Sequence, residues 1–199
     1  PTPYTKANFR MMAPWYSGRM PENETTLARV LQQNNYKTGH SGKWHMAINH
    51  HAFPQPEDQG FDYTKSNVGV TQRMRPNRLT TFATDAASDK FQLDENGFAK
   101  HLATEDAIKF MAQEKANPFF LYYAEWLVHT PIQTRNRRLL EKYSKKLGVE
   151  IPKDAGDWEM KGQNNPYYCA MVEEFDYYVG QVINYLKNTD DPRWAGHKL

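Results

Sequence analysis

Three side chains in this sequence are of the kinds that handle anions and protons. Lys43 and His45 stand two apart within residues 35–47, NYKTGHSGKWHMA, with Trp44 between them and Gly39 and Gly42 just before. His129 follows the apolar run FFLYYAEW, residues 119–126, and precedes Pro131. An ammonium and an imidazole leaving one strand two residues apart share a face, because strand side chains alternate. Aimed at one point, they suit an anionic group: the ammonium holds charge and the imidazole moves a proton near neutral pH. The two glycines read as backbone pressed close to a ligand. A histidine at the C-terminal end of a sheet strand stands where open α/β sheets keep their ligands. Lys-x-His pairs also occur in solvated loops, and a strand-end histidine also serves as a plain hydrogen-bond partner. The surrounding elements decide.

Those elements read as alternating helix and strand. Leu27, Val30 and Leu31 recur at helical spacing, so residues 24–34 are predicted as a short helix with Asn23 as its cap. Asn23-Glu24-Thr25 also fits a glycosylation sequon. Residues 36–41 follow as a strand, which makes half of an α/β unit. Residues 60–63 read as a short buried return, 80–87 as a short strand and 94–97 as a turn. That turn is acidic, but it lacks the ligand spacing of a calcium loop. Residues 102–115 form a helix stopped by Asn117-Pro118. Length and composition make residues 119–126 a strand buried on both faces, as in a parallel sheet. Residues 134–147 read as a basic helix. Residues 168–188 give the cleanest periodicity: Val172, Phe175, Val179, Val182, Ile183 and Leu186 mark a face expected to lie on a sheet.

Other polar features are weaker. His50 and His51 are adjacent and point apart, so a loop is the better reading than a metal pair. Arg73, Arg75 and Arg78 line either a solvated face or an anion pocket. Cys169 has no basic neighbour in sequence and reads as a small, partly buried side chain rather than a nucleophile. As the single cysteine, it excludes an intrachain disulfide and a cysteine-based zinc site.

The chain has 199 residues, enough for one sizeable core. Its net charge of +2 is too small to point to nucleic acid, and no apolar run is long enough to span a membrane. It opens on Pro1-Thr2-Pro3, without a starting Met or a signal peptide, and reads as a piece of a longer protein.

Three stretches in order resemble the central part of the formylglycine-dependent sulfatases, within the alkaline-phosphatase-like superfamily. Residues 35–47 resemble the family signature G-Y-x-T-x-x-x-G-K-W-H, preceded by a TLARVL helix like that family's. PFFLYYAEWLVHTP resembles its strand and histidine, and YYCAMVEEFDYYVGQVINYLK its long helix. The matches span residues 20–186 with a divergent middle. The implied fold is part of an α/β sandwich: a mostly parallel sheet flanked by helices, with residues 1–199 forming one incomplete catalytic domain.

The resemblance implies a sulfuric ester hydrolase acting through a formylglycine nucleophile and Ca²⁺. Lys43 corresponds to the lysine that binds the sulfate and the formylglycine side chain. His45 corresponds to the histidine that assists sulfate expulsion, and His129 to the one that contacts the sulfate or bridging oxygen. The implied substrate is a sulfate ester, with a sulfated saccharide favoured, in a periplasmic or secreted protein. The sequence departs from the pattern in three ways. Asn35 stands where the signature has Gly. No C/S-x-P-x-R motif is present to give the formylglycine. The aspartates that hold Ca²⁺ are missing too, so nucleophile and metal ligands are expected outside this segment. Two other readings remain: a metal-dependent phosphodiesterase or phosphomutase of the same superfamily, and a non-catalytic sulfated-glycan binder using Lys43, Arg73, Arg75, Arg78, Trp15 and Trp44.

Overall fold

The structure, a computed structural model, describes residues 18–49, 51–65, 82–89, 91–113, 116–129, 132–151 and 164–188. In chain order these form α1 (Leu27–Gln33), β1 (Lys37–Gly42), a 3-10 turn (Pro56–Gln59), β2 (Tyr63–Lys65), α2 (Leu102–Gln113), β3 (Phe119–Ala124), α3 (Arg137–Leu147) and α4 (Pro166–Asn188). The strands make a parallel sheet in the order β2-β1-β3. This is the expected α/β class. Arg73, Arg75, Arg78, Trp15, His50 and the expected irregular chain at the N-terminus lie outside the described residues.

The capping residue of α1 is Thr26, not Asn23. Thr26 Oγ1 accepts the Arg29 amide at 3.2 Å and donates to the Gln59 carbonyl at 2.6 Å. One hydroxyl thus starts the helix and ties it to the 3-10 turn, so the helix begins three residues later than its hydrophobic spacing suggested. At its other end Asn35 has φ +64°. Asparagine tolerates this left-handed conformation better than other non-glycine residues, which explains how it stands where the signature has Gly.

β1 is the middle strand, and Thr38, His40 and Ser41 on it are buried. Polar residues survive there because each finds a partner. The Thr38 amide donates to Asp62 Oδ2 at 3.0 Å and its hydroxyl donates to the Gly60 carbonyl at 2.6 Å. Ser41 Oγ donates to the Ala103 carbonyl at 2.7 Å, clamping the end of β1 to the start of α2. β3 runs beside β1 from Lys37↔Phe119 to Gly42↔Ala124. It is not buried on both faces as expected: among the described residues β3 pairs with β1 alone, and Tyr122 is 44% exposed.

Two further expectations fail. Residues 82–87 are not a strand; Asp89 holds them in a turn by accepting from the Thr84 amide and hydroxyl at 2.8 and 2.9 Å. α4 does not lie on the sheet. It packs on α2 and α3 through Tyr167, Ala170, Met171, Glu174 and Tyr178. The stripe read from sequence is only partly covered: Val172, Phe175 and Ile183 are 46%, 38% and 40% exposed, while Val179, Val182 and Leu186 are half-buried.

Aromatic side chains pack in several places, Phe110 against Tyr63 and Phe119 among them. Trp44 and Phe61 pack with Ala28 beneath β1. Phe98, Leu139, Ala170 and Tyr178 form a second core between α3 and α4, with Ile132, Leu140, Tyr167 and Met171 beside it. Asn136 caps α3 by accepting the Leu139 amide at 3.1 Å, and its amide group donates to the Gly97 carbonyl at 2.7 Å. The predicted turn at 94–97 is therefore built into the helix layer. Asp94 Oδ1 accepts the amides of Asn96 and Phe98 at 3.0 and 2.9 Å.

Candidate active site

Lys43 leaves β1 at the sheet's C-terminal edge. Its amide donates to the Ala124 carbonyl at 2.6 Å, so the strand exits of β1 and β3 are joined by a backbone bond. Gly42 makes this possible. It has φ +105°, and a Cβ there would stand 2.0 Å from the Ala124 oxygen. A Cβ at Gly39 would meet the Phe110 ring of α2 at 2.7 Å. Both glycines therefore serve close contact between elements of the protein, not the approach to a ligand that their spacing suggested.

Beyond Gly42 the backbone keeps alternating. Trp44 is buried and its indole N–H donates to the Pro54 carbonyl at 2.9 Å, while Lys43 is half-buried and His45 is exposed. The two polar side chains thus stand outside the core on either side of a tryptophan that anchors the turn. Trp44 is committed to the core, which removes it from any glycan-stacking role.

His40 lies beneath this turn, and no motif or periodicity points to it. Its ring contacts Trp44, Phe61 and Tyr122 with centroids 5.5, 5.5 and 5.6 Å away. Burial lowers its pKa to about 4, against a weaker opposing pull from the Lys43 carbonyl. The ring is therefore neutral at pH 7. Nε2 lies 3.2 Å from the Lys43 carbonyl oxygen, which can only accept, so the hydrogen belongs on Nε2. His40 thereby holds the peptide that carries Lys43. Nδ1 is buried with no partner among the described residues.

β3 ends at Ala124, and residues 125–129 turn beside Lys43. The Lys43 ammonium lies 5.4 Å from the centroid of the Trp126 ring, within cation–π range. The His129 amide donates to the Trp126 carbonyl at 2.9 Å, and its side chain is exposed. The structure therefore brings Lys43 and the loop of His129 to the same end of two adjacent strands, with His45 two residues further along. His129 sits five residues past the strand end rather than at it.

Glu125 fixes that loop, and sequence reading had passed it over. Its carboxylate is 4% exposed. Oε1 accepts the amides of Trp126 and Leu127 at 2.7 and 3.1 Å. Oε2 accepts the Tyr123 hydroxyl. Tyr123 in turn lies 2.8 Å from Thr104 Oγ1, and Thr104 lies 3.0 Å from His101 Nδ1. With Tyr123 donating to the carboxylate, one donor direction runs through the whole chain: His101 to Thr104 to Tyr123 to Glu125. Burial lowers the His101 pKa, so the ring is neutral with its hydrogen on Nδ1. Tyr178 of α4 stacks on it at 4.4 Å.

Among the described residues, no three His, Cys, Asp or Glu side chains converge as a metal cage. Cys169 lies in the first turn of α4, half-buried.

Comparison with known proteins gives this arrangement its context. The family model described as Sulfatase matches residues 2–194. Arylsulfatase G of Rattus norvegicus is 54% identical over a match covering 83% of this chain and 33% of the relative. An arylsulfatase of Hemicentrotus pulcherrimus is 28% identical over 62% of this chain and 25% of its own length. The chain thus spans about a quarter to a third of these relatives. A solved structure from work on glycosaminoglycan metabolism by Bacteroides thetaiotaomicron superposes with a TM-score of 0.54 at 18% identity, covering 85% of this chain and 43% of that one. That likeness supports the fold. With a family match running almost from end to end over this parallel sheet, the chain belongs to the sulfatase family.

Proposed function

We propose that this chain is the central part of the catalytic domain of a sulfate-ester hydrolase, and that Lys43, His45 and His129 form one wall of its sulfate site. The observation that carries the reading is the joint between β1 and β3. Lys43 and the loop of His129 leave the same sheet edge, coupled by the Lys43–Ala124 backbone bond.

Hydrolysis of a sulfate ester breaks the bond between sulfur and the bridging oxygen, and charge grows on that oxygen as it leaves. In this reading the Lys43 ammonium binds the non-bridging oxygens and offsets their charge. His129 stands at the bridging oxygen and supplies the proton that the departing alcohol needs. His45 holds a proton on the opposite side of the sulfur, where the attacking group is oriented. Both histidines are exposed, and the His129 amide is anchored on the Trp126 carbonyl.

The sulfatase resemblance also implies Ca²⁺ and a formylglycine. The described residues do not fit a calcium cage, and the lone cysteine lacks the required motif. Both groups are therefore assigned to the full protein outside this segment. A sulfated saccharide is the substrate class we favour. The likeness to a structure from glycosaminoglycan metabolism supports it, as does the aromatic content of the chain. Export to the periplasm or outside the cell is proposed from the family resemblance; among the described residues no helix is long and apolar enough to cross a membrane.

The test is hydrolysis of an aryl sulfate by the full-length protein. Activity that is competed by inorganic sulfate supports the reading. Cleavage of phosphodiesters with no action on sulfate esters would contradict it and favour the metal-dependent phosphodiesterase relative.

A further inference from the structure

We infer that Glu125 is a positioning residue for the sulfate site, acting through Trp126 on Lys43. The inference rests on the sulfatase reading of Lys43 and adds a residue that this reading does not contain. Glu125 is an acid beside a site meant for an anion, where a negative charge facing the substrate would oppose binding. The geometry shows why it does not. The carboxylate turns inward, 4% exposed, and both oxygens are occupied.

Those bonds select one course for the chain. Two consecutive amides, those of Trp126 and Leu127, converge on Oε1, which bends the backbone sharply as it leaves β3. The bend carries the Trp126 side chain back against the Lys43 ammonium, and the Trp126 carbonyl then receives the His129 amide. Trp126 is itself buried, so the ring is a fixed surface rather than a mobile one. On the far side, Tyr123 holds Oε2 and is held by Thr104 of α2. Glu125 therefore links a rigid helix start to the two groups that would meet the sulfate. Removing the carboxylate leaves two buried amides and a tyrosine hydroxyl to find other partners, and the loop must move for them to do so.

The experiment uses the full-length protein with Glu125→Ala and Glu125→Gln. Glutamine keeps an acceptor for the two amides and is the conservative rescue. Three quantities are read: KM against kcat with an aryl sulfate, the inhibition constant of inorganic sulfate, and the indole N–H resonance of Trp126 in a ¹⁵N-tryptophan spectrum, assigned with Trp126→Phe. We expect Glu125→Ala to shift the Trp126 resonance and to raise both KM and the sulfate inhibition constant about tenfold, with a smaller change in kcat. Glu125→Gln should restore both constants to within about threefold of wild type. A Glu125→Ala protein with a lower melting point but an unmoved resonance, KM and sulfate constant would overturn the proposal, since that is the pattern of a purely structural residue. A wild-type protein that neither cleaves the ester nor is inhibited by sulfate overturns the sulfatase reading instead.

Discussion

The sheet edge that carries Lys43 and the helix layer behind it each bury a glutamate, and the two are held in opposite ways. Glu125 has both oxygens filled by two amides and a tyrosine hydroxyl. Glu174, 4% exposed in the middle of α4, accepts from the Thr134 hydroxyl at 2.8 Å. Burial dominates there and pushes its pKa up to about 8, against the weaker pulls of Thr134 and the Arg135 guanidinium. In the helix layer that holds Glu174, ring contacts are prominent: Phe98 stacks on Tyr177 at 3.7 Å, and Tyr178 lies over His101. Around Glu125 they are directional bonds. Ring contacts fill volume and tolerate small shifts, whereas several bonds to one carboxylate fix an angle. In the proposed reading, the second kind of contact lies where the sulfate-binding groups are aimed.

This contrast is open to attack by substitution. The largest effect is expected at the joint itself. Gly42→Ala puts a methyl group 2.0 Å from the Ala124 oxygen at a φ that alanine disfavours. A loss of about 4 kcal/mol is expected, combining overpacking with backbone strain. A denaturant midpoint close to that of the parent would show that the exits of β1 and β3 are not locked together.

A smaller effect of opposite sign is expected in the helix layer. Glu174 holds its proton more tightly folded than unfolded. Its contribution is thus fully present below the unfolded pKa near 4.5 and is lost as pH rises through about 8. Glu174→Gln removes the ionisation and keeps an acceptor for Thr134. We expect the variant to be the more stable by about 2 kcal/mol at pH 9, with little difference at pH 5. Parallel melting curves across that range would mean that Glu174 is not buried as described.

His40 gives the matching test on the sheet side, at the acid end. Its folded pKa of about 4 lies below the unfolded 6.5, so the unfolded chain takes up a proton that the folded chain refuses. Stability should fall by about 1–2 kcal/mol between pH 6.5 and 4.5, and His101 acts in the same direction. His40→Gln should flatten that slope, read as the thermal midpoint at each pH. An unchanged slope would sever His40 from the Lys43 turn.

The same contrast explains what could be read from sequence. β1, α2, α3 and the turn at 94–97 were legible because period and turn chemistry act locally. The family signature placed Lys43, His45 and His129 in order. What was missed depended on contacts far apart in sequence. Asn23 looked like the cap of α1, but Thr26 wins because Gln59, 33 residues on, receives its hydroxyl. The aliphatic stripe of α4 looked like its buried face. The true buried face includes Glu174 and Tyr178, whose burial rests on Thr134 and on the Ala99 carbonyl, 2.7 Å from the Tyr178 hydroxyl. Gly39 and Gly42 were recognised as special for the wrong reason, since Phe110 and Ala124 are invisible from the motif itself. Glu125 carries no signal: an acid after an apolar run reads as the return to solvent, and its partner Tyr123, backed by Thr104 and His101, is invisible from the motif.

In the proposed reading, the β1 and β3 exits form the sulfate-binding wall while the helix layer only supports them. Lys43→Met in the full-length protein tests it most directly, because methionine keeps most of the stem and removes the charge. The expected result is a fall in kcat/KM for an aryl sulfate by about 10²–10³ with a melting point close to that of the parent. A Lys43→Met enzyme that keeps its kcat/KM would contradict it.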